Sequence, residues 1–226
     1  MEKYAYVTLA TTESFLRGAK LLAYSLERVK SKYPLIILVT ENLSHLLDNE
    51  HMYRVISYDK FTPPEFITQR YVDTKNKLKA FDLVQYKRVL VIDADIFVHQ
   101  NIDWIFEEYP EEEFLCGIRQ NEDGSKMFCG DRLLITPKRG QYDMFWEDEI
   151  NKHYPTDEQM LENVYKDFFN KHERFLFPGS AELSHLSGSK KYWDYLNVYP
   201  EILNEMNNEE IKSLLNSWTT IQPFIL

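Results

Sequence analysis

Two carboxylates end the most apolar strand-like segment of this chain. The run Val89–Ile92 is followed by Asp93 and Asp95, with the small Ala94 between them. Side chains alternate faces along an extended strand, so both carboxylates can point the same way. Like charges that close repel, and one carboxyl group would be driven towards its neutral form. A divalent metal ion removes this conflict, so the pattern predicts a metal site, and a metal ion at a strand end suggests a phosphate ligand.

The Asp-x-Asp pair by itself has two other interpretations. Aspartate is favoured in turns, so the pair could simply close a strand before a turn. An apolar strand that ends in Asp-x-Asp also resembles the first motif of haloacid-dehalogenase-type phosphatases, in which the first Asp is a nucleophile. That motif usually continues with Thr or Val where this chain has Phe97, and here it follows the fourth predicted strand rather than the first.

A second group of residues with matching chemistry lies in HLSGSKKYW, residues His185–Trp193. His185 offers an imidazole for a metal ion, Gly188 permits close approach of the backbone, and Lys191 can place a positive charge on a phosphate. An isolated histidine is more often structural, but this combination favours a metal–phosphate site. Because imidazole suits Mn²⁺ better than Mg²⁺, the donor set predicts Mn²⁺, with Mg²⁺ as the alternative.

The segments around these motifs predict alternating strands and helices. In the first half we expect strands at Tyr4–Ala10, Leu35–Val39, Arg54–Ser57 and Arg88–Ile92. Between them we expect a helix with Thr11 or Thr12 as its N-cap, Glu13 in its first turn and apolar residues from Leu16 to Val29. We expect two more helices at Ser44–Asn49 and Lys77–Tyr86. The second half predicts strands at Glu113–Ile118, Arg132–Ile135 and Phe175–Phe177, and helices at Met144–Ile150 and Asp157–Phe169. This pattern is typical of an α/β fold with a mainly parallel sheet, in which ligands bind beyond the carboxyl ends of the strands.

Composition narrows the class of protein. The 226 residues are 44% hydrophobic, which suits a single globular domain, and the formal net charge of -10 argues against nucleic-acid binding. The sequence contains no apolar run of about 18–20 residues that could span a membrane. It shows no signal-peptide pattern and only two cysteines, so we expect a cytoplasmic protein without a disulfide framework.

Four motifs, in order, resemble the glycogenin-type family of retaining glycosyltransferases. They are VTLATTESFLRGA, KLKAFDLVQYKRVLVIDADIFVHQNIDWIF, DEQMLENVY and HLSGSKKYW. The resemblance implies a Rossmann-like GT-A fold over the whole chain, with a nucleotide-binding half at residues 1–98 and a donor-sugar and acceptor half at residues 99–226. It also implies retaining transfer of a hexose, most often glucose, from a UDP-sugar to an acceptor hydroxyl.

The resemblance assigns roles to single residues. Asp93, Asp95 and His185 would bind the metal ion. Gly188 and Lys191 would contact the diphosphate, and Lys77 would reach the donor sugar or the phosphates unless it is a solvated helix lysine. The uridine would be lined by residues at the end of the first strand or just after it, and by the residue between the two aspartates: Leu9, Thr11, Thr12, Phe15 and Ala94.

The catalytic candidates other than Lys77 lie in the third motif. Glu158 and Gln159 align with the acidic-Gln pair that the family places near the reacting sugar carbon, and either Asp157 or Glu158 takes the acidic role. The alternative is helix capping, because Thr156 or Asp157 is a suitable N-cap and Glu158 favours the helix dipole.

The chain also departs from the family. Phe128-Cys129-Gly130-Asp131 stands where the family has Phe-Asn-Ser/Ala-Gly. A thiol cannot replace the amide of the Asn that touches the donor sugar, so the sugar stays open, with Asp131 as a compensating group. Another sugar-binding Asp of the family falls near Asn121 or Asp123. This departure keeps a non-catalytic UDP-sugar-binding protein as the alternative.

The acceptor is not identified by any motif. It could be a glycan, a protein hydroxyl or the chain itself, although none of the fifteen tyrosines maps onto a self-glycosylated one. A homodimer is compatible with the resemblance and with the apolar carboxyl-terminal TIQPFIL.

Overall fold

The computed structural model describes residues 3–47, 51–58, 73–109, 114–120, 126–152, 154, 156–165 and 182–185. Every structural statement below concerns these residues. Several positions discussed above lie outside them, namely Asn121, Asp123, Gly188, Lys191, the predicted strand Phe175–Phe177 and the carboxyl-terminal TIQPFIL.

A six-stranded sheet is the centre of the described structure. The strands are β1 (Tyr4–Ala10), β2 (Leu35–Thr40), β3 (Tyr53–Tyr58), β4 (Arg88–Ile92), β5 (Ile96–Val98), β6 (Phe114–Gln120), β7 (Lys126–Ile135) and β8 (Leu183–His185). Six of them lie in the order β3-β2-β1-β4-β7-β6. The first four strands are parallel to one another, and β7 is antiparallel to both of its neighbours, β4 and β6. The predicted α/β fold with a mainly parallel sheet is confirmed.

Helices flank this sheet. They are α1 (Glu13–Arg28), the single turn α2 (Ile105–Glu108), α3 (Gln141–Lys152) and α4 (Asp157–Val164), with 3₁₀ helices at Glu41–Leu46 and Asn76–Asp82. None of the helices within the described ranges combines the length and the apolar character needed to cross a lipid bilayer.

Helix α1 begins where the sequence predicts. Thr12 is extended, and its hydroxyl accepts a hydrogen bond from the Phe15 backbone N–H at 3.3 Å. Glu13 in the first turn and Arg28 in the last turn complement the helix dipole. The apolar face packs on the sheet, because residues three and four apart share one side of a helix.

Strand β1 is buried on both faces of the sheet. Tyr4 and Tyr6 belong to one apolar cluster, and Ala5 and Val7 belong to the other. Alternate side chains of a strand point to opposite faces, so a strand covered on both sides must be apolar throughout. The same reasoning explains the continuous apolar run of β4 before the Asp pair.

The helix predicted at Lys77–Tyr86 is present, but its predicted bounds were wrong. The chain forms a 3₁₀ helix that ends at Asp82. Leu78 and Phe81 are buried, and their spacing of three places them on one side of this helix. Val84, a further three positions along the chain, lies beyond the end of the helix and is 44% exposed.

Two other predicted elements, one helix and one strand, have different bounds in the structure. The predicted helix Ser44–Asn49 is replaced by the 3₁₀ helix at Glu41–Leu46. The predicted strand Arg132–Ile135 is the part of β7 that pairs with β4, and its last three residues pair with β6 as well, whereas Lys126–Cys129 pair with β6. Strong apolar character marks only the doubly flanked residues, so the sequence pattern showed only that part of the strand.

Strands β5 and β8 form a separate antiparallel pair that the sequence did not predict. Ile96 lies opposite His185 in this pair. The Val98 backbone N–H donates to the buried Ser25 hydroxyl oxygen at 3.2 Å, and that hydroxyl donates to the Leu22 carbonyl at 2.7 Å. Helix α1 therefore fixes β5, and β5 in turn fixes the position of β8.

The side chain of Asp103 connects three segments that are distant in sequence. Its carboxylate accepts hydrogen bonds from the Tyr6 hydroxyl at 2.7 Å, the Ser31 hydroxyl at 2.8 Å and the Lys32 backbone N–H at 2.9 Å. Burial raises the pKa of Tyr6 well above its usual value, and Asp103 adds to that rise. Tyr6 therefore stays a neutral donor, and Asp103 ties β1 and the turn after α1 to the segment before α2.

We expect Asp103→Asn to lower the free energy of unfolding by about 2 kcal/mol, because hydrogen bonds to a charged group contribute roughly 1.5–3 kcal/mol. The matched control is Asp82→Asn, which removes a surface ion pair with Lys79 worth less than about 1 kcal/mol. Urea unfolding followed by circular dichroism measures both variants. Equal loss in the two variants would show that the buried hydrogen bonds of Asp103 add nothing.

Candidate functional site

The structure brings the three predicted metal ligands together. Asp93 follows β4, Asp95 precedes β5, and His185 ends β8. One ligand atom from each lies within 4.8 Å of the others. His185 Nε2 lies 3.3 Å from Asp95 Oδ1, because Ile96 and His185 are opposite each other in the β5–β8 pair. Residues ninety positions apart thus form one cluster at the carboxyl edge of the sheet.

The electrostatics of this cluster fit a divalent cation. Burial raises the pKa of Asp93, Lys77 opposes that rise, and the Asp95 carboxylate adds to it. Two carboxylates and one imidazole form a mixed oxygen and nitrogen donor set of the kind that first-row divalent metals accept. The residues present are therefore suited to hold a metal ion.

A third carboxylate contacts the histidine from its other side. Asp131 Oδ2 lies 3.3 Å from His185 Nδ1. Burial lowers the pKa of His185, but Asp131 and Asp95 outweigh it and raise that pKa to about 9. Burial raises the pKa of Asp131, but His185 and Arg132 hold it below its usual value. In the sequence Asp131 stands out only as a compensating group for the amide lost at Cys129, and no sequence signal indicates its contact with His185.

Lys77 is buried inside the site. Its ammonium nitrogen lies 3.0 Å from Asp93 Oδ1 and 3.2 Å from Asp157 Oδ2, and it donates to the Gly130 carbonyl oxygen at 2.8 Å. Burial lowers the pKa of Lys77, but Asp157 and Asp93 outweigh it and raise the pKa above its usual value. The alternative of a solvated helix lysine was wrong, because Lys77 is a fixed internal cation.

Helix α4 begins beside Lys77. Thr156 is extended and its hydroxyl accepts from the Gln159 backbone N–H at 3.2 Å, so Thr156 rather than Asp157 is the N-cap. The Gln159 side chain is exposed. Asp157 is buried and accepts a hydrogen bond from the Thr74 hydroxyl at 3.1 Å.

Glu158 has a different environment from its neighbour Asp157. It is half-buried, and its Oε1 accepts a hydrogen bond from the Gly130 backbone N–H at 3.0 Å. A Cβ atom at Gly130 would lie 2.8 Å from Asp157 Oδ2 and 3.3 Å from Glu158 Cγ. The absence of a side chain at this position of β7 therefore lets both acidic residues of α4 approach the strand.

These groups surround one cavity of about 230 Å³. It is lined by Thr74, Lys77, Asp93, Cys129, Gly130, Asp131, Thr156, Asp157, Glu158 and His185. The two acidic candidates, the buried lysine and two of the three metal ligands thus share one space. Cys129 also lines it, at the position where the sequence departs from the family that it resembles.

The residues predicted to hold the uridine are not part of this lining. Leu9, Thr11, Thr12 and Phe15 lie at the carboxyl end of β1 or just after it, and the buried Ala94 follows β4. Strands β1 and β4 are parallel neighbours, with Val7 opposite Val91, so these residues lie along the same edge of the sheet as the Asp pair. Their contact with a nucleotide stays a prediction.

The chain resembles known proteins both in part of its sequence and in its fold. No protein-family model matches the chain. A stretch of 121 residues, 50% of this chain, is 35% identical to galactinol synthase 2 of Arabidopsis thaliana and covers 36% of that protein. The chain thus matches about a third of the length of this curated relative.

The solved structures that resemble the chain cover more of it. The galactosyltransferase LgtC, in complex with donor and acceptor sugar analogs, has a TM-score of 0.60 at 15% identity, covering 94% of this chain and 95% of LgtC. The apo form of the glycosyltransferase GlyE of Streptococcus pneumoniae has a TM-score of 0.57 at 16% identity, covering 98% of this chain and 64% of GlyE. These likenesses confirm the predicted GT-A fold.

We expect Lys77→Met to lower the free energy of unfolding by about 3–5 kcal/mol, because it leaves the buried Asp157 carboxylate without its cation. Lys79→Met is the matched control in the same 3₁₀ helix, since Lys79 makes a partly exposed pair with Asp82 worth less than about 1 kcal/mol. Urea unfolding at pH 7 compares the two. Similar losses would contradict the internal role of Lys77.

Proposed function

We propose, from its resemblance to the glycogenin-like glycosyltransferase family, that this chain is a metal-dependent retaining glycosyltransferase that transfers a hexose from a UDP-sugar to an acceptor hydroxyl. The observation that carries the proposal is the cluster of Asp93, Asp95 and His185, whose ligand atoms lie within 4.8 Å of one another at the carboxyl edge of the sheet. In α/β sheets this edge is where ligands bind.

Asp93, Asp95 and His185 would hold the metal ion. When bound, a divalent metal ion supplies Lewis-acid stabilisation of negative charge on a departing diphosphate. The imidazole favours Mn²⁺ over Mg²⁺, because Mg²⁺ prefers oxygen ligands. The uridine would lie along the end of β1, where Leu9, Thr11, Thr12 and Phe15 are found.

Lys77 contributes a permanent positive charge to this proposal. Lys77 donates hydrogen bonds to Asp93 Oδ1 and to the Gly130 carbonyl oxygen, and it forms an ion pair with Asp157 Oδ2 at 3.2 Å. Lys77 would therefore act through its charge and by fixing the Asp93 and Asp157 carboxylates. A charge that is already oriented needs no reorganisation when the leaving group departs.

Glu158 is the better candidate for the acidic group near the reacting carbon. It lines the cavity and is half-buried, whereas Asp157 is neutralised by Lys77 and accepts from Thr74. Glu158 would stabilise positive charge on the donor sugar or, in a double displacement, act as the nucleophile. A same-face departure and attack is the other route to retention, and both routes place the carboxylate of Glu158 beside the sugar.

Two residues of the cavity bear on the alternative functions, a UDP-sugar-binding protein without turnover and a phosphatase. Cys129 lines the cavity in place of the family asparagine, which favours the alternative of a UDP-sugar-binding protein without turnover. Asp93 pairs with Lys77 and lies beside Asp95 and His185, which suits a metal ligand better than a phosphatase nucleophile. The relatives are named for galactinol synthesis and galactosyl transfer, so galactose stands beside glucose as the donor sugar.

The acceptor, self-glycosylation, the homodimer and the cytoplasmic location stay predictions. Gly188 and Lys191 stay proposed contacts of the diphosphate. We propose a glycan or protein hydroxyl as the acceptor class, because the family transfers sugars to hydroxyl groups.

We expect UDP release from UDP-glucose or UDP-galactose that requires Mn²⁺ and that falls by on the order of 10²–10³-fold in Asp95→Asn. Asp143→Asn, an exposed aspartate of α3, is the matched control and should keep wild-type release. Release that ignores Mn²⁺ or survives Asp95→Asn would refute the metal-dependent transferase. Mn²⁺-dependent UDP binding without turnover on any donor would support the binding protein, and hydrolysis of p-nitrophenyl phosphate alone would support the phosphatase.

We expect Glu158→Gln and Asp157→Asn to separate catalysis from stability. The side-chain amide oxygen that Glu158→Gln introduces can still accept from the Gly130 backbone N–H, so this variant should keep its stability and lose turnover by on the order of 10²-fold. Asp157→Asn breaks the buried pair with Lys77 and should lower the free energy of unfolding by about 3 kcal/mol. Steady-state kinetics and urea unfolding on both variants measure this, and the opposite pattern would exchange the two roles.

A further inference from the structure

We infer that Asp131 is a positioning residue, which holds His185 in the ring orientation and tautomer needed to ligate the metal ion. This inference rests on the proposed metal-dependent function. Neither the sequence relatives nor the predicted ligand set assigns Asp131 this role, and the family resemblance places a glycine at its position.

The contacts of His185 point to this role. Nδ1 lies 3.3 Å from Asp131 Oδ2, and Nε2 lies 3.3 Å from Asp95 Oδ1 on the opposite side of the ring. A carboxylate at Nδ1 keeps the proton on that nitrogen, so a metal ion that binds the ring displaces the proton from Nε2 and takes the lone pair there. The same hydrogen bond raises the basicity of the imidazole and fixes the ring plane.

Asp131 is itself held firmly in place. Its side chain is 5% exposed, and its Oδ1 accepts a hydrogen bond from Arg132 Nε at 3.3 Å. Its backbone carbonyl accepts from the Asp93 backbone N–H at 3.0 Å. One residue of β7 therefore contacts two of the three metal ligands, through its side chain and its backbone respectively.

The neighbouring strand provides the space that this carboxylate needs. A Cβ atom at Gly117 of β6 would lie 2.9 Å from Asp131 Oδ1, a distance that side chains do not tolerate. The pairing of β6 with β7 also shifts register between Cys116 and Gly117. The carboxylate of Asp131 can therefore occupy its position only because residue 117 has no side chain.

Asp131 acts through the histidine in this inference. It is not one of the three residues whose ligand atoms lie within 4.8 Å of one another. Its oxygens face His185 Nδ1 and Arg132 Nε instead. Removing the carboxylate should therefore weaken metal binding only where His185 is present to be oriented.

Mn²⁺ titration of the whole chain, with free Mn²⁺ measured by electron paramagnetic resonance, tests the inference without any assay of activity. We expect Asp131→Ala to weaken Mn²⁺ binding by about 10–100-fold. Asp131→Asn should recover part of the loss, since its amide oxygen can still accept from Nδ1–H. Gly117→Ala should also weaken binding by displacing the carboxylate, and Asp143→Asn is the unchanged control. Near-wild-type circular dichroism confirms that each variant is folded.

A double-mutant cycle with His185→Ala decides how Asp131 acts. In that background we expect Asp131→Ala to change Mn²⁺ affinity by less than about 2-fold, because additivity fails for residues that act through one another. An equal loss in both backgrounds, or wild-type affinity in Asp131→Ala, would overturn the positioning role and leave the proposed function intact. A wild-type chain that does not bind Mn²⁺ would overturn the metal-dependent function and this inference with it.

Discussion

Repulsion between carboxylates at the carboxyl edge of the sheet is the constraint on which the site depends. Asp93, Asp95, Asp131 and Asp157 come from three separate segments and are wholly or half buried. Burying a charge is costly unless the charge is paired. The structure meets this cost with Lys77 between Asp93 and Asp157, and with His185 between Asp95 and Asp131.

These two basic side chains divide the site into two parts. Lys77 neutralises the part that includes the start of α4, and it holds the Gly130 backbone as well. The other part brings the ligand atoms of Asp93, Asp95 and His185 within 4.8 Å of one another, and a divalent cation would stabilise these groups further. Asp93 belongs to both parts, because it pairs with Lys77 and is also one of the three candidate metal ligands.

The fold supports this arrangement at positions that carry no chemistry. Ser25 of α1 accepts from the backbone of β5, and β5 aligns β8 so that His185 faces the Asp pair. Gly117 and Gly130 leave room for carboxylates that a Cβ atom would displace. The close packing of two strands and one helix against these glycines is what brings buried charges within hydrogen-bond distance of their partners.

The sequence by itself determined the elements whose signal is local. Strand β1, helix α1 and strand β4 before the Asp pair follow from apolar periodicity, which is a property of neighbouring residues. The cap of α1 was narrowed to Thr11 or Thr12, and the structure shows that it is Thr12. The residue types of Asp93, Asp95 and His185 were sufficient to predict a metal site. Only the tertiary structure decided that β5 pairs with β8, that Lys77 is buried, and that Asp131 contacts His185. Each of these depends on contacts between residues more than fifty positions apart, and no local pattern encodes which distant partner a strand or a charge will meet.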